Sequence, residues 1–142
     1  VGYRVNPLAT IRLELAAALE PVLPGRVHPF PPTTRRWSTP LVFVDDVALT
    51  RDPAAGWVAS FPVWLAVDGT VESAVAVLDD LKWNTVAALR PLCVSVNVTP
   101  QTVAGLRAAV VDAAVTVDVE SLCAPDPPTA VQIPPAPATL AG

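Results

Sequence analysis

Arg35-Arg36-Trp37 is the cluster in this chain whose residue types are best suited to binding chemistry. Two guanidiniums beside an indole can grip phosphate and stack a base. They can also pair carboxylates across a protein interface, where Arg and Trp are favoured. A plainly solvated loop is the remaining alternative. The formal net charge is −4, so there is no overall basic field to draw in nucleic acid. The protein-interface reading is therefore preferred for Arg35, Arg36 and Trp37. Trp64 joins them, because Trp57 and Trp64 fall at odd spacing in one strand-like run and must point to opposite faces. One is expected under a helix and the other against a neighbour, with Trp83 a third anchor of core or interface.

Catalytic chemistry finds less to work with. His28 is the single histidine, and no partner stands near it at a recognisable spacing. Cys93 and Cys123 lack the paired spacing of a zinc site. They can pair with each other, but the expectation is two reduced, buried cysteines behaving as small hydrophobes. Asp45-Asp46 and Asp79-Asp80 are carboxylate pairs, and acid–base work needs two carboxyls facing one pocket. Neighbours in a strand point apart, and on a helix they diverge by about 100°, so solvated surface is the expectation for both pairs. There is no Gly-rich phosphate loop, Gly-x-Ser-x-Gly or His-x-x-x-His. Asn97-Val98-Thr99 matches a glycosylation sequon, read as chance inside a predicted strand. No catalytic residues, metal ligands or cofactor are assigned, and the chain is expected not to be an enzyme.

The elements that must position these residues follow from periodicity. Asn6-Pro7 opens a helix, Asn as cap and Pro at the first helical position. Leu8, Ile11, Leu15, Leu19 and Val22 share one face, while Arg12, Glu14 and Glu20 are placed elsewhere; Pro21, Pro24 and Gly25 end the helix. Residues 26–28 form a short strand. The Pro-rich stretch 29–40 is a loop of unusual length, and such loops are often functional. Strands are predicted at 41–44, 47–51 and 57–67, with a turn at 52–56 in which Asp initiates and Pro fixes φ. In the long strand Trp57, Ala59, Phe61, Val63, Leu65 and Val67 share a face, and Pro62 argues for an edge position or a bulge. Thr70 is the expected cap of a second helix, about 71–90. Its apolar face is Val71, Ala74, Val75, Leu78, Leu81, Val86 and Leu89. Val94, Val96 and Val98 mark another strand, 100–102 a turn, and 113–122 a last strand after an ambiguous Ala-rich stretch.

These elements describe an α+β domain over 1–124. A mainly antiparallel sheet of four to six strands is packed by two amphipathic helices. Residues 125–142, six of them Pro, form an extended arm. Charged residues make up 15% of the chain, where about 25% is usual. Such a surface suits a subunit partly covered by neighbours. No run of eighteen apolar residues is present and no signal-peptide pattern opens the chain, so neither membrane span nor secretion is expected.

The order of elements, together with the strands Ser38-Thr39-Pro40-Leu41-Val42-Phe43-Val44 and Phe61-Pro62-Val63-Trp64-Leu65-Ala66-Val67-Asp68, resembles the tail terminator proteins of long-tailed bacteriophages. The matching parts are 7–23, 25–46, 57–89 and 93–122. The Ala, Val, Arg and Pro bias fits the GC-rich genome of an actinobacterial phage. The resemblance implies a structural virion subunit, assembled in the host cytoplasm, that forms a hexameric ring at the head-proximal end of the tail. Its partners would be the tail tube protein and the head-completion or connector protein, with DNA passing through the lumen unread. Another neck or tail subunit (head closure or tail tube) and a non-viral protein-binding module are the alternatives.

Overall fold

The computed structural model describes residues 7–33, 37–54, 56–70, 72–103 and 105–117. The predicted arm, Cys123 and the far end of the last predicted strand lie outside them. The elements in chain order are α1 (Pro7–Leu19), β1 (Val27–His28), β2 (Leu41–Val44), β3 (Ala48–Asp52), β4 (Gly56–Asp68), α2 (Ala74–Leu89), β5 (Ser95–Val103) and β6 (Leu106–Val117). The six strands form one sheet in the order β1-β2-β4-β6-β5, with β3 also on β4. Every pairing is antiparallel except β1 with β2. The α+β class and the mainly antiparallel six-stranded sheet are as the sequence predicts.

Both helices pack on one face of the sheet, α2 over β4 and β6 and α1 beside it over β1 and β2. The alternation of β4 delivers Ala59, Phe61, Val63, Leu65 and Val67 to that face. They meet Leu15 and Leu19 of α1 and Leu78, Leu81 and Leu89 of α2. Each large side chain so buried contributes roughly 1.5–3 kcal/mol of transfer free energy. Each helix ends in a 3₁₀ turn built on a proline, Glu20–Val22 and Arg90–Leu92, because Pro21 and Pro91 cannot supply the next helical donor.

Several expectations are corrected. Arg12 is 9% exposed rather than on the wet side. Leu8, Arg12, Leu15 and Leu19 follow i, i+4, i+7 and i+11, which puts Arg12 on the line of the buried stripe. The second helix starts at Ala74, not at 71. Thr70 does not cap it, because its N–H and Oγ1 both donate to Asp68 Oδ1, at 2.9 and 2.7 Å. Those two bonds also lower the Asp68 pKa from its ordinary value. Val75 is 51% exposed, and Thr85 takes a place in the buried stripe Ala74, Leu78, Leu81, Thr85, Leu89. The expected turn at 100–102 is part of β5, and the last strand begins at Leu106, not at 113. The stretch 108–111 is ambiguous by sequence, its alanines compatible with helix. It is instead buried on both sides of an interior strand, which removes the polar alternation a strand prediction needs.

The prolines are placed by hydrogen-bond direction. Pro62 lies on the interior strand β4, so the edge reading is wrong and the bulge reading holds. Val44 faces Val63 and Ala48 faces Ser60, so residues 45, 46 and 47 stand opposite only 61 and 62, one extra residue. The Pro62 carbonyl accepts from the Asp45 N–H at 2.7 Å. Its missing donor therefore points to the bulge and not into the ladder with β6. Residues of one parity share a side of the strand. Carried through the register pairs Val63–Val111 and Val110–Thr99, that rule turns the Pro100 nitrogen to the open edge of β5, where a proline costs nothing.

Two positions show how close this packing is, and the first gives a direct test. Thr85 is fully buried and its Oγ1 has no hydrogen-bond partner. Thr85→Val keeps the shape and removes the unsatisfied hydroxyl, so stability in urea should rise by about 1 kcal/mol. A loss instead would mean that the hydroxyl is bonded. Gly69 donates to the Gly105 carbonyl at 3.1 Å, and a β-carbon there would meet that oxygen at 3.1 Å and the Leu106 carbonyl carbon at 3.2 Å. Any other residue there would need the β5–β6 turn to give way by a few tenths of an ångström.

Candidate protein-interaction site

The face of the sheet away from the helices carries an apolar patch across β2, β4 and β6, bordered by the polar Ser60, Asp112, Thr99 and Gln101 on the same side. Alternation places Leu41, Phe43, Ala66, Ala108, Val110 and Ala114 there. All are buried, and none belongs to the helix-side core. An antiparallel sheet with one solvated face would show polar residues at these positions. On it stand three aromatic rings. Trp37 meets Phe43 edge-on at 5.2 Å and Trp64 edge-on at 6.0 Å between centroids, and Phe43 stacks on Trp64 at 6.1 Å with 8° between planes. These separations and angles are the favoured ones for aromatic pairs.

The structure thus brings together two of the four predicted interface residues, Trp37 and Trp64. Arg35 and Arg36 lie outside the described residues. Trp57 sits on the opposite face and packs against the core, as the odd spacing requires. Trp83 is 77% exposed on α2.

Asp45 fixes the Trp64 indole. Its Oδ2 accepts from Nε1 at 3.0 Å, while its Oδ1 accepts from the Asp46 N–H at 2.8 Å. The bulge opposite Pro62 is what turns this carboxylate toward β4, so the residue read as solvated surface from sequence orients a ring. The signal was hidden in the register and not in the Asp-Asp pair itself.

Two arginines tie the 29–40 loop to the sheet. The β1–β2 ladder ends at His28 with Phe43, one step before the Phe30 N–H, the donor that this parallel register would bring to Val44. The Val44 carbonyl is left without a strand partner, and the Arg12 guanidinium takes it at 2.7 Å together with the Pro29 carbonyl at 2.9 Å. The same group lies 5.4 Å from the centroid of Phe30 and 5.6 Å from that of Phe61, within cation–π range. Arg26 holds the other end. Its Nε donates to the Pro40 carbonyl at 2.9 Å, and its terminal nitrogen donates to the Ser38 carbonyl and to Ser38 Oγ. Neither arginine stood out by sequence, although Arg12 interrupts an otherwise apolar stripe, and that is a readable signal.

Between the clamped ends lies a groove of about 530 Å³, lined by Arg26, His28, Phe30, Pro32, Trp37 and Leu41 among others. His28 is exposed at the end of β1. A second hollow of about 620 Å³ separates the start of α2 from the β5–β6 turn, where Asp79 and Lys82 pair at 3.5 Å. Cys93 is half-buried, and burial pushes its thiol pKa up, which keeps it protonated and unreactive near neutrality. Among the described residues no three His, Cys, Asp or Glu side chains gather as metal ligands, and no helix is long and apolar enough to cross a membrane. What the site offers chemically is an aromatic and proline surface with the Arg26 guanidinium at its rim. No protein-family model matches the chain, and no curated protein matches it.

Proposed function

We propose that this chain is a structural subunit of a phage neck, a tail terminator that closes into a ring, stops tail-tube polymerisation and receives the head connector. The observation that carries this reading is the apolar patch with three aromatic rings on the second face of the sheet. In its Trp37–Phe43–Trp64 platform the Trp64 indole is oriented by Asp45. Pre-set aromatic anchors of this kind are the usual energetic centre of a protein interface. The low charge content agrees with a surface meant to be covered. A closed ring ends growth because its far face does not repeat the polymerising surface of the tube. The chain is read as having no catalytic part.

Tails assembled without this protein should be overlong in electron micrographs. Tails of normal length would rule the proposal out. The groove beside Trp37 favours one second reading, a module that binds an extended peptide; a stable monomer by light scattering, with no rings in negative stain, would select it.

A further inference from the structure

The groove between Phe30 and Trp37 has chemistry that suits one kind of ligand. It is walled by aromatic and proline rings and carries two basic groups, Arg26 and His28, with no carboxylate in its lining. Phe30 is 60% exposed although one face of its ring is already set by the Arg12 guanidinium. Trp37 is fixed from behind by Phe43 and Trp64. Grooves of fixed aromatic rings take proline-rich segments, whose polyproline conformation is extended before binding and so loses little entropy. After Val117 the chain carries two such segments, Pro125-x-x-Pro128 and Pro134-x-x-Pro137.

Reach separates them. Val117 pairs with Trp57 at one end of β4, and Leu41 beside the groove pairs with Ala66 near the other. Nine residues of strand are about 30 Å, and three strand spacings from β6 to β1 add about 14 Å sideways, so the span is about 33 Å. From Val117, eight residues to Pro125 extend to at most about 29 Å, which is too short. Seventeen residues to Pro134 reach about 53 Å even as polyproline, which spans the distance with slack. Tethering raises the local concentration of the segment to the millimolar range, enough for a weak proline–aromatic contact to be occupied.

We infer that Pro134-Pro135-Ala136-Pro137 of the same chain docks in the groove between Phe30 and Trp37. The two motif prolines, about 9 Å apart on one edge of a polyproline helix, lie against the two rings. The inference stands apart from the ring proposal, since it concerns one chain.

The test is photo-crosslinking of the full chain with benzoylphenylalanine introduced at position 30, an exposed site. Irradiation should give a crosslink to residues 133–138 that migrates at single-chain mass. Pro134→Ser with Pro137→Ser should cut its yield at least fivefold, while Pro125→Ser with Pro128→Ser should leave it unchanged. A crosslink to 133–138 found only at two-chain mass would mean that a neighbouring copy supplies the segment and would overturn the inference. So would crosslinks that avoid 133–138, or a yield indifferent to both proline pairs.

Discussion

Arg12→Met should lower the free energy of unfolding by about 3 kcal/mol. The methionine chain fills the volume of the aliphatic stem, so the loss isolates the guanidinium. That group donates to two carbonyls, Val44 at 2.7 Å and Pro29 at 2.9 Å. Hydrogen bonds from a charged donor contribute about 1.5–3 kcal/mol each, and a buried carbonyl left bare costs about 1–3 kcal/mol. Desolvation of the cation works against these gains, so the net is set near the value of one strong bond and not the sum. Arg12→Lys should recover less than half, because an ammonium on a flexible stem does not reproduce the planar fork that spans both carbonyls and lies between Phe30 and Phe61. Urea midpoints of the two variants decide the matter. A loss below 1 kcal/mol for the Met variant would show that the strand end and the loop hold without the clamp.

The same residue shows where sequence reading stops. Periodicity located α1, the long strand and its inward face, since Phe61, Val63 and Leu65 alternate without interruption and end fully buried. It misplaced Arg12 because a charged side chain was assigned by type, whereas its burial depends on carbonyls contributed by Pro29 and Val44, 17 and 32 residues away. It took 100–102 for a turn because a proline in a strand is allowed only at certain orientations, and orientation follows from pairing partners that a local pattern does not contain. The interior strand β6 was shortened for a related reason. A strand buried on both faces has no alternation, and Ala108-Ala109 favour helix when read alone. In the candidate site, the opposite faces of Trp57 and Trp64 were legible from parity. The meeting of Trp64 with Trp37 and Asp45 was not, because it depends on the long loop and on a bulge opposite Pro62. What local chemistry dictates is which face a residue takes; what it meets there is decided by register.

Trp64→Ala should be about as costly as the loss of Arg12, near 3 kcal/mol, and the loss should divide into two parts. One part is the ring platform. The stack on Phe43 and the edge contact with Trp37 contribute about 0.5–1.5 kcal/mol each beyond the area they bury. The other is the bond from Nε1 to the Asp45 carboxylate. Trp64→Phe keeps a ring in the stack and deletes only the donor, so it should lose about 1–2 kcal/mol. Asp45→Ala deletes the acceptor, and combined with Trp64→Phe it should lose less than the two single changes added together. A coupling near 1 kcal/mol lies within the range of residues in direct contact. Zero coupling would mean that the carboxylate does not orient the indole and that the platform is held by ring packing alone. The variants also bear on assembly. A platform that serves as an interface centre loses most of its binding energy when its aromatic anchor is truncated. Trp64→Ala should therefore reduce the mass in solution to that of single subunits at concentrations where Trp64→Phe still assembles. Equal assembly by both variants would place the contact between subunits elsewhere on the surface, with the exposed Trp83 the next ring to truncate.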